Sequence, residues 1–226
     1  MQAARRLAKR AFRAVDRRFL AEGPAAVAEG LAAPGGVVEL FVTAPAEQRH
    51  RRLVEAARDA GVPVCRVSGE VMGALTQTVT PAGIAAVCPF VDVGLSQLVR
   101  GHPRLVAVLA HVRDPGNAGT VLRTADAAGA DGVVFTDASV DVYNPKTVRA
   151  SAGSLFHLPV TVGVPDTSAV TALRDAGMTV LAADGRGVRS LDDPGMASLL
   201  TGPVAWLFGN EAWGLPAPLA ALADTT

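Results

Sequence analysis

Short apolar runs recur along this chain, and between them the hydrophobic positions switch from continuous to helically spaced. The runs VVELFVT at 37–43, VPVCRV at 62–67 and GIAAVC at 83–88 read as strands, as do LVAVLAHV at 105–112, GVVFT at 132–136, MTVLAAD at 178–184 and PVAWLFG at 203–209. Residues 19–31 (FLAEGPAAVAEGL) read as a short strand, a turn and a helix; EQRHRRLVEAARDAG at 47–61 and SAVTALRDAG at 168–177 are helices closed by glycine. A further helix is expected over about 118–129, with Ala118, Val121, Leu122, Ala125, Ala128 and Gly129 on its buried side, and another near 146–152. Strands alternating with helices of this length predict an α/β protein whose second half carries a mostly parallel sheet covered on both faces. Residues 92–104 show no period and read as a connector between two alternating units.

Composition narrows the class. Half of the 226 residues are hydrophobic and 19% are charged, which excludes a disordered chain. No apolar run reaches the roughly 18 residues of a membrane span, and the basic amino terminus lacks the apolar block of a secretory signal, so a cytoplasmic protein is expected. Cys65 and Cys88 form no CxxC pair, and His50, His102, His111 and His157 are scattered, so no metal is expected.

Charge is unevenly placed. The net charge is zero, yet residues 1–20 carry seven basic residues against Asp16 alone, leaving the other residues net acidic. Leu7, Ala11, Ala14, Val15 and Arg18 recur at helical spacing, with Arg6, Arg10, Arg13 and Arg17 opposite, which predicts one amphipathic helix. Its basic side is either a solvated face or an arm for phosphate contact. Lys9 and Lys146 are the only lysines, so nearly all positive charge is arginine; codon bias accounts for that ratio as readily as bidentate phosphate contact does.

Two loops carry candidate chemistry. In HVRDPGNAGTVLRTADAAGADGVV, residues 111–134, DPGN is turn chemistry: Pro115 fixes φ, Gly116 supplies a positive φ and Asn117 can cap the helix. Arg123 falls away from the apolar stripe, and taken alone reads as a surface residue. The second loop is WLFGNEAWGL, 206–215, an apolar strand running into Gly209, Asn210, Glu211 and Gly214, where glycine permits close approach of a ligand or merely makes a turn. The chain has no GxGxxG, no GK[ST] and no GxSxG, which removes dinucleotide, P-loop and nucleophile-elbow readings.

In order, DPGNAGTVLRTADAAGADGVV, YNPKTVRASAGSLFHLPV and WLFGNEAWGL resemble the SpoU/TrmH family of RNA ribose 2'-O-methyltransferases, of the SPOUT superfamily. FLAEGP and TPAGIAAV resemble the substrate-binding domain that precedes it in many members. The resemblance implies a knotted α/β catalytic domain over 105–226, a homodimer, S-adenosyl-L-methionine as cofactor and RNA as substrate, ribosomal rather than transfer RNA. It further implies an RNA-binding domain over 1–92 and a linker over 93–104. Carried over by motif, Arg123, Asn117 and Glu211 are the catalytic candidates, and Ala183, Gly209 and Asn210 the cofactor contacts. Ser151 and Ser154 join Arg5, Arg6, Arg10 and Arg13 as RNA contacts. Members continue into an Ile-Pro-Met strand and a Ser-Leu-Asn segment that complete the knot; this chain stops at Thr226, which implies truncation before that third motif. The alternative is a noncatalytic RNA-binding protein with a degenerate cofactor site.

Overall fold

A computed structural model of the chain describes residues 2–76, 78–185, 187 and 189–226. They form two compact units, Met1–Val91 with Tyr143–His157, and Asp92–Val142 with Leu158–Thr226. The first unit begins with α1 (Gln2–Arg6), α2 (Arg10–Asp16), β1 (Arg18–Glu22), α3 (Pro24–Ala32), β2 (Glu39–Val42), α4 (Ala44–Arg49), α5 (Arg51–Asp59), β3 (Val64–Arg66), α6 (Gly69–Thr76) and β4 (Ile84–Pro89). Its sheet has the order β1-β4-β2-β3, with β4 antiparallel to both neighbours and β2 parallel to β3. Phe41, Met72, Leu75, Ala85 and Leu20 pack with Leu7 into a core on one face of this sheet.

The basic arm departs from expectation. In place of one amphipathic helix there are two short ones, and burial on α2 runs opposite to the predicted stripe: Arg13 is 3% exposed, whereas Val15 is 80% exposed. The cause is the turn that follows α1, where the carbonyls of Leu7 and Ala8 need a donor. Arg13 Nη1 donates to Leu7 O and Ala8 O, both at 2.8 Å, and satisfies them. The run at 47–61 is likewise broken, at His50, into α4 and α5.

The second unit runs through α7 (Leu95–Arg100), β5 (Leu105–Leu109), α8 (Pro115–Ala127) and β6 (Gly132–Thr136); α9 (Pro145–Ala150) then leaves for the first unit. The chain returns as β7 (Val160–Val164), α10 (Asp166–Asp175), β8 (Thr179–Ala183), α11 (Met196–Leu199), β9 (Val204–Phe208) and α12 (Ala217–Ala220). All neighbouring pairs in its five-stranded sheet, order β7-β6-β5-β9-β8, are parallel. One sheet face, with Val106, Val108, Ala110, Val134, Val180, Ala205 and Leu207, packs on Leu98, Ala169, Val170 and Leu173 of α7 and α10. Leu98 shows why the expected linker over 93–104 is not one: a short helix there buries this side chain in the core of the second unit. Among the described residues no helix is long and apolar enough to cross a membrane.

The segment Tyr143–His157, expected within the catalytic half, is built into the first unit. Tyr143 is 2% exposed, stacks on Phe90 with ring centroids 3.6 Å apart and lies 4.9 Å from Phe19. Its hydroxyl accepts from Val91 N at 2.9 Å. Arg149 pairs with Glu22 of β1 at 2.9 Å.

Candidate active site

In the second unit the strand order reverses between β5 and β9. From β5 the chain builds outward through β6 to β7, then crosses to β8 and returns to β9 on the other side of β5. Loops that leave such adjacent strands in opposite directions open a crevice at their carboxyl ends, the usual ligand position in parallel sheets. The loops in question are residues 111–114, which enter α8, and residues 209–214, which follow β9.

The first loop is anchored by a residue other than the one expected. Asp114 is the cap of α8, its Oδ1 accepting from Gly116 N at 2.7 Å and Asn117 N at 2.9 Å, with Pro115 in the first turn. Gly116 is helical and has no positive φ. With the cap supplied by Asp114, the Asn117 side chain is released from local duty. Its Nδ2 donates to Glu211 Oε1 at 3.0 Å, joining the two loops across 94 positions of chain. On α8 the buried stripe is Ala118, Leu122 and Ala125; Val121 is half-buried, and Ala128 and Gly129 are exposed, Gly129 taking the positive φ that ends the helix.

The second loop is a tight hairpin. Asn210 N donates to Gly214 O and Gly214 N to Asn210 O, each at 2.8 Å. A Cβ at Gly209 would fall 2.5 to 2.7 Å from backbone atoms of Gly214 and Leu215, so only glycine fits. Asn210 serves both loops: its Oδ1 accepts from Ala212 N at 2.9 Å and its Nδ2 donates to His111 O at 3.1 Å. His111 occupies the left-handed region (φ 61°), its Nε2 lies 3.2 Å from Asp166 Oδ2, and Trp213 meets its ring edge-on at 5.3 Å.

Electrostatics favour an ionised Glu211. Burial pushes its carboxyl up, but hydrogen bonds from its own backbone N–H, from Asn117 and from the backbone of Asp114 and Arg113 outweigh that and hold it below the ordinary carboxylate value. Arg123 lies six residues beyond Asn117 on α8, about 9 Å along the axis on ideal geometry. It is exposed, and among the described residues it makes no hydrogen bond or ion pair. It therefore stands outside the network that joins Asn117, Glu211, Asn210 and Gly209.

A second feature lies at the carboxyl end of β8. The last residues of the chain run beside that strand, Ala182 N donating to Thr225 O at 2.9 Å and Arg189 N to Thr226 O at 3.1 Å. Between them is a cavity of about 380 Å³, walled by Leu181, Met196, Leu191 and Trp206 on its apolar side and by Ala183, Asp184 and Gly185 at the strand end. Ala183 is exposed into this region, whereas Gly209 and Asn210 do not line the cavity.

The remaining candidates belong to the first unit. Ser151 is fully buried, its Oγ donating to Val148 O at 2.8 Å, and Ser154 is 5% exposed, so both are built into the fold there instead of presenting hydroxyls at a surface. Arg6 is held by Asp16 and Arg13 by backbone carbonyls, while Arg5 and Arg10 are exposed.

The SpoU rRNA Methylase family model matches residues 104–226, and the model of the MRM3-like substrate binding domain matches residues 1–86. The chain belongs to the SpoU rRNA methylase family. It is 39% identical over 142 residues to the Bacillus subtilis 23S rRNA (guanosine(2553)-2'-O)-methyltransferase RlmP, an alignment covering 63% of this chain and 53% of that protein. The similarity therefore spans about half of that relative. An uncharacterized tRNA/rRNA methyltransferase of Synechocystis is 31% identical over 208 residues, 91% of this chain and 73% of that one. The crystal structure of an AdoMet-bound rRNA methyltransferase from Sinorhizobium meliloti superposes with a TM-score of 0.80 at 28% identity, covering 98% of this chain and 82% of that chain.

Within this SpoU-family fold, sequence reasoning missed three members of the site. Asp114 had a readable signal, an acidic residue directly before proline at a helix start. His111 and Asp166 had none, because their approach depends on where α10 lies against the sheet. Among the described residues no group of three or more His, Cys, Asp or Glu side chains is gathered for a metal.

Proposed function

We propose that this protein transfers a methyl group from S-adenosyl-L-methionine to a ribose 2'-hydroxyl of ribosomal RNA, working as a homodimer. The observation that carries the reading is the Asn117–Glu211 hydrogen bond, which unites two family motifs at the switch point of a parallel sheet. The cavity beside β8 suits the cofactor chemically: apolar side chains offer a face for a purine, Asp184 and the strand-end backbone offer polar partners, and nothing stands within 4 Å of a Cβ position at Gly185. Ala183, Asp184 and Gly185 would hold the cofactor, with the Gly209–Asn210 turn closing the neighbouring edge. When bound, S-adenosylmethionine supplies an electrophilic methyl carbon on a sulfonium.

The protein's own contribution is then positioning and charge. Asn117 and Glu211 fix the two loops relative to one another, which sets the approach of the sugar oxygen. A guanidinium group carries no acceptor lone pair for a proton, so Arg123 is not the base. Its free fork instead grips an adjacent phosphate and stabilises negative charge developing on the 2'-oxygen, while the proton leaves to solvent or phosphate. The homodimer and the preference for ribosomal over transfer RNA rest on the motif resemblance and on the names of relatives.

The test is transfer of radiolabelled methyl from S-adenosylmethionine to ribosomal RNA, with ribose methylation mapped on the product. The wild-type chain is expected to label one ribose, and Arg123→Lys, which keeps charge but loses the fork, to fall by at least about 100-fold. Near-normal turnover by Arg123→Lys would overturn the positioning role. Absence of labelling together with absence of cofactor binding by calorimetry would overturn the enzymatic reading.

A further inference from the structure

Phe12 is out of place for an aromatic residue of its unit. Phe19, Phe41 and Tyr143 are buried there, yet Phe12 is 38% exposed, with Val15 one turn further along the same face of α2. Arg6 prepares this ring. Its guanidinium is fixed in two parallel hydrogen bonds to Asp16, at 2.9 and 3.0 Å, and its central carbon lies 5.3 Å from the Phe12 ring centroid. The ring is thereby held by a cation that is itself held, which removes rotamer freedom from an exposed aromatic side chain before any ligand arrives. The same arm carries three further exposed cations, Arg5, Lys9 and Arg10. The one acidic residue of this arm, Asp16, is engaged with Arg6.

An exposed aromatic face on an arm rich in exposed cations fits a stacked base whose flanking phosphates meet the charges. In a duplex the base faces are already stacked on one another, so only an unpaired nucleotide can use the ring. We infer that Phe12 is a stacking platform for an unpaired base of the RNA substrate, with Lys9 and Arg10 contacting the phosphates beside it. This rests on the reading of the protein as an RNA methyltransferase and names where the substrate's unpaired strand is gripped.

Fluorescence anisotropy on the full 226-residue chain tests it. The probes are an unpaired RNA 12-mer carrying one 2-aminopurine and the same strand annealed to its complement. Phe12→Ala is expected to weaken binding of the unpaired probe about tenfold and to abolish 2-aminopurine quenching, leaving the slope against log salt and the duplex affinity unchanged. Phe12→Trp should restore both, whereas Phe12→Leu, apolar but without a π face, should not. Lys9→Ala with Arg10→Ala should instead lower the salt slope by about one to two. Wild-type binding with Phe12→Ala or Phe12→Leu indistinguishable from it overturns the inference and leaves the methyltransferase reading intact. Equal loss on both probes also overturns it, since a platform for unpaired bases does not act on a duplex. So does concentration-dependent self-association of wild type that Phe12→Ala removes, which would make the patch a contact with a second copy. Failure of wild type to bind either RNA counts against the parent reading itself.

Discussion

At the carboxyl ends of β5 and β9, polar side chains reach partners that are remote in the chain: Asn117 meets Glu211 and Asn210 meets the carbonyl of His111. In the basic arm the reverse holds, since Arg13 bonds to carbonyls six and five residues away and Arg6 to a carboxylate ten residues away. Locally satisfied groups finish a small piece of fold. Groups that leave local partners to others, as Asn117 leaves the helix cap to Asp114, are the ones that bring distant segments into a common site. The contrast turns an undifferentiated set of arginines into two kinds: Arg6 and Arg13 with structural work, and Arg5, Arg10 and Arg123 with exposed guanidinium groups.

The largest test of this contrast is at the remote-contact end. Gly209→Ala places a methyl group within 2.7 Å of the Gly214 and Leu215 backbone, which cannot swing away as a side chain would. The hairpin must open by roughly an ångström, at a cost of about 1–3 kcal/mol, and a displacement of that size in a positioning loop lowers turnover about 100-fold. Denaturant unfolding and methyl transfer measured on the same preparation should show a protein that is still folded in buffer but has lost its activity. Wild-type activity in Gly209→Ala would mean that the loop does not position anything.

At the local end, Arg13→Ala strips one buried and one partly buried carbonyl of their donor. It should destabilise the first unit by about 2–3 kcal/mol in a denaturant titration, with the salt slope of RNA binding unchanged for the folded fraction. Arg10→Ala should do the opposite, leaving stability within about 0.5 kcal/mol and lowering the slope by about 1. If Arg13→Ala instead reduces the slope without affecting unfolding, the division between the two kinds of arginine is wrong.

A smaller effect concerns acid. Because the folded Glu211 carboxyl titrates below its unfolded value of about 4.3, the stability it contributes is fully present above that value and is lost as pH falls through it toward the lower folded value. Asn117→Ala removes one of the donors responsible, so NMR titration should show the Glu211 midpoint moving up toward the ordinary value. The cost in stability should stay at or below about 1 kcal/mol, since the pair is exposed to solvent. An unmoved midpoint would show that Asn117 does not stabilise the ionised form.

Much of this architecture was legible in the chain because strands buried on both faces read as continuous apolar runs, and both loops of the site were visible as polar interruptions after such runs. Among the elements that escaped, β7 and α7 did so for physical reasons. In β7, Gly163 takes φ 69° and the pairing to β6 shifts register there, so the apolar alternation is broken where a strand nonetheless forms. In α7, six residues are too few to display a helical period, although Leu98 is buried. The adjacency of β5 and β9 was not legible at all, since strand order depends on the crossover to β8. That is why Asn117 and Glu211 could be named separately from motifs while their hydrogen bond could not.

The finest test lies at His111, where one residue combines both behaviours. Its backbone holds a left-handed conformation that costs a non-glycine residue about 1–2 kcal/mol, and its side chain pairs with Asp166 at 3.2 Å in a partly exposed position. Such a pair is worth about 0–1 kcal/mol. His111→Gly relieves the first term and forfeits the second, while glycine's greater freedom in the unfolded chain takes back about 0.5–1 kcal/mol. Stability should therefore change by less than about 1 kcal/mol in either direction. The carbonyl that accepts from Asn210 is retained in glycine, so the link between the loops and the rate of methyl transfer should survive within a few-fold. His111→Val carries the same backbone and no partner for Asp166, and its branched Cβ tolerates a positive φ worst, so it should be the less stable of the two by at least about 1 kcal/mol. Equal stability of the glycine and valine variants would show that the left-handed turn relaxes freely and that Asn210, not His111, sets the geometry where the two loops meet.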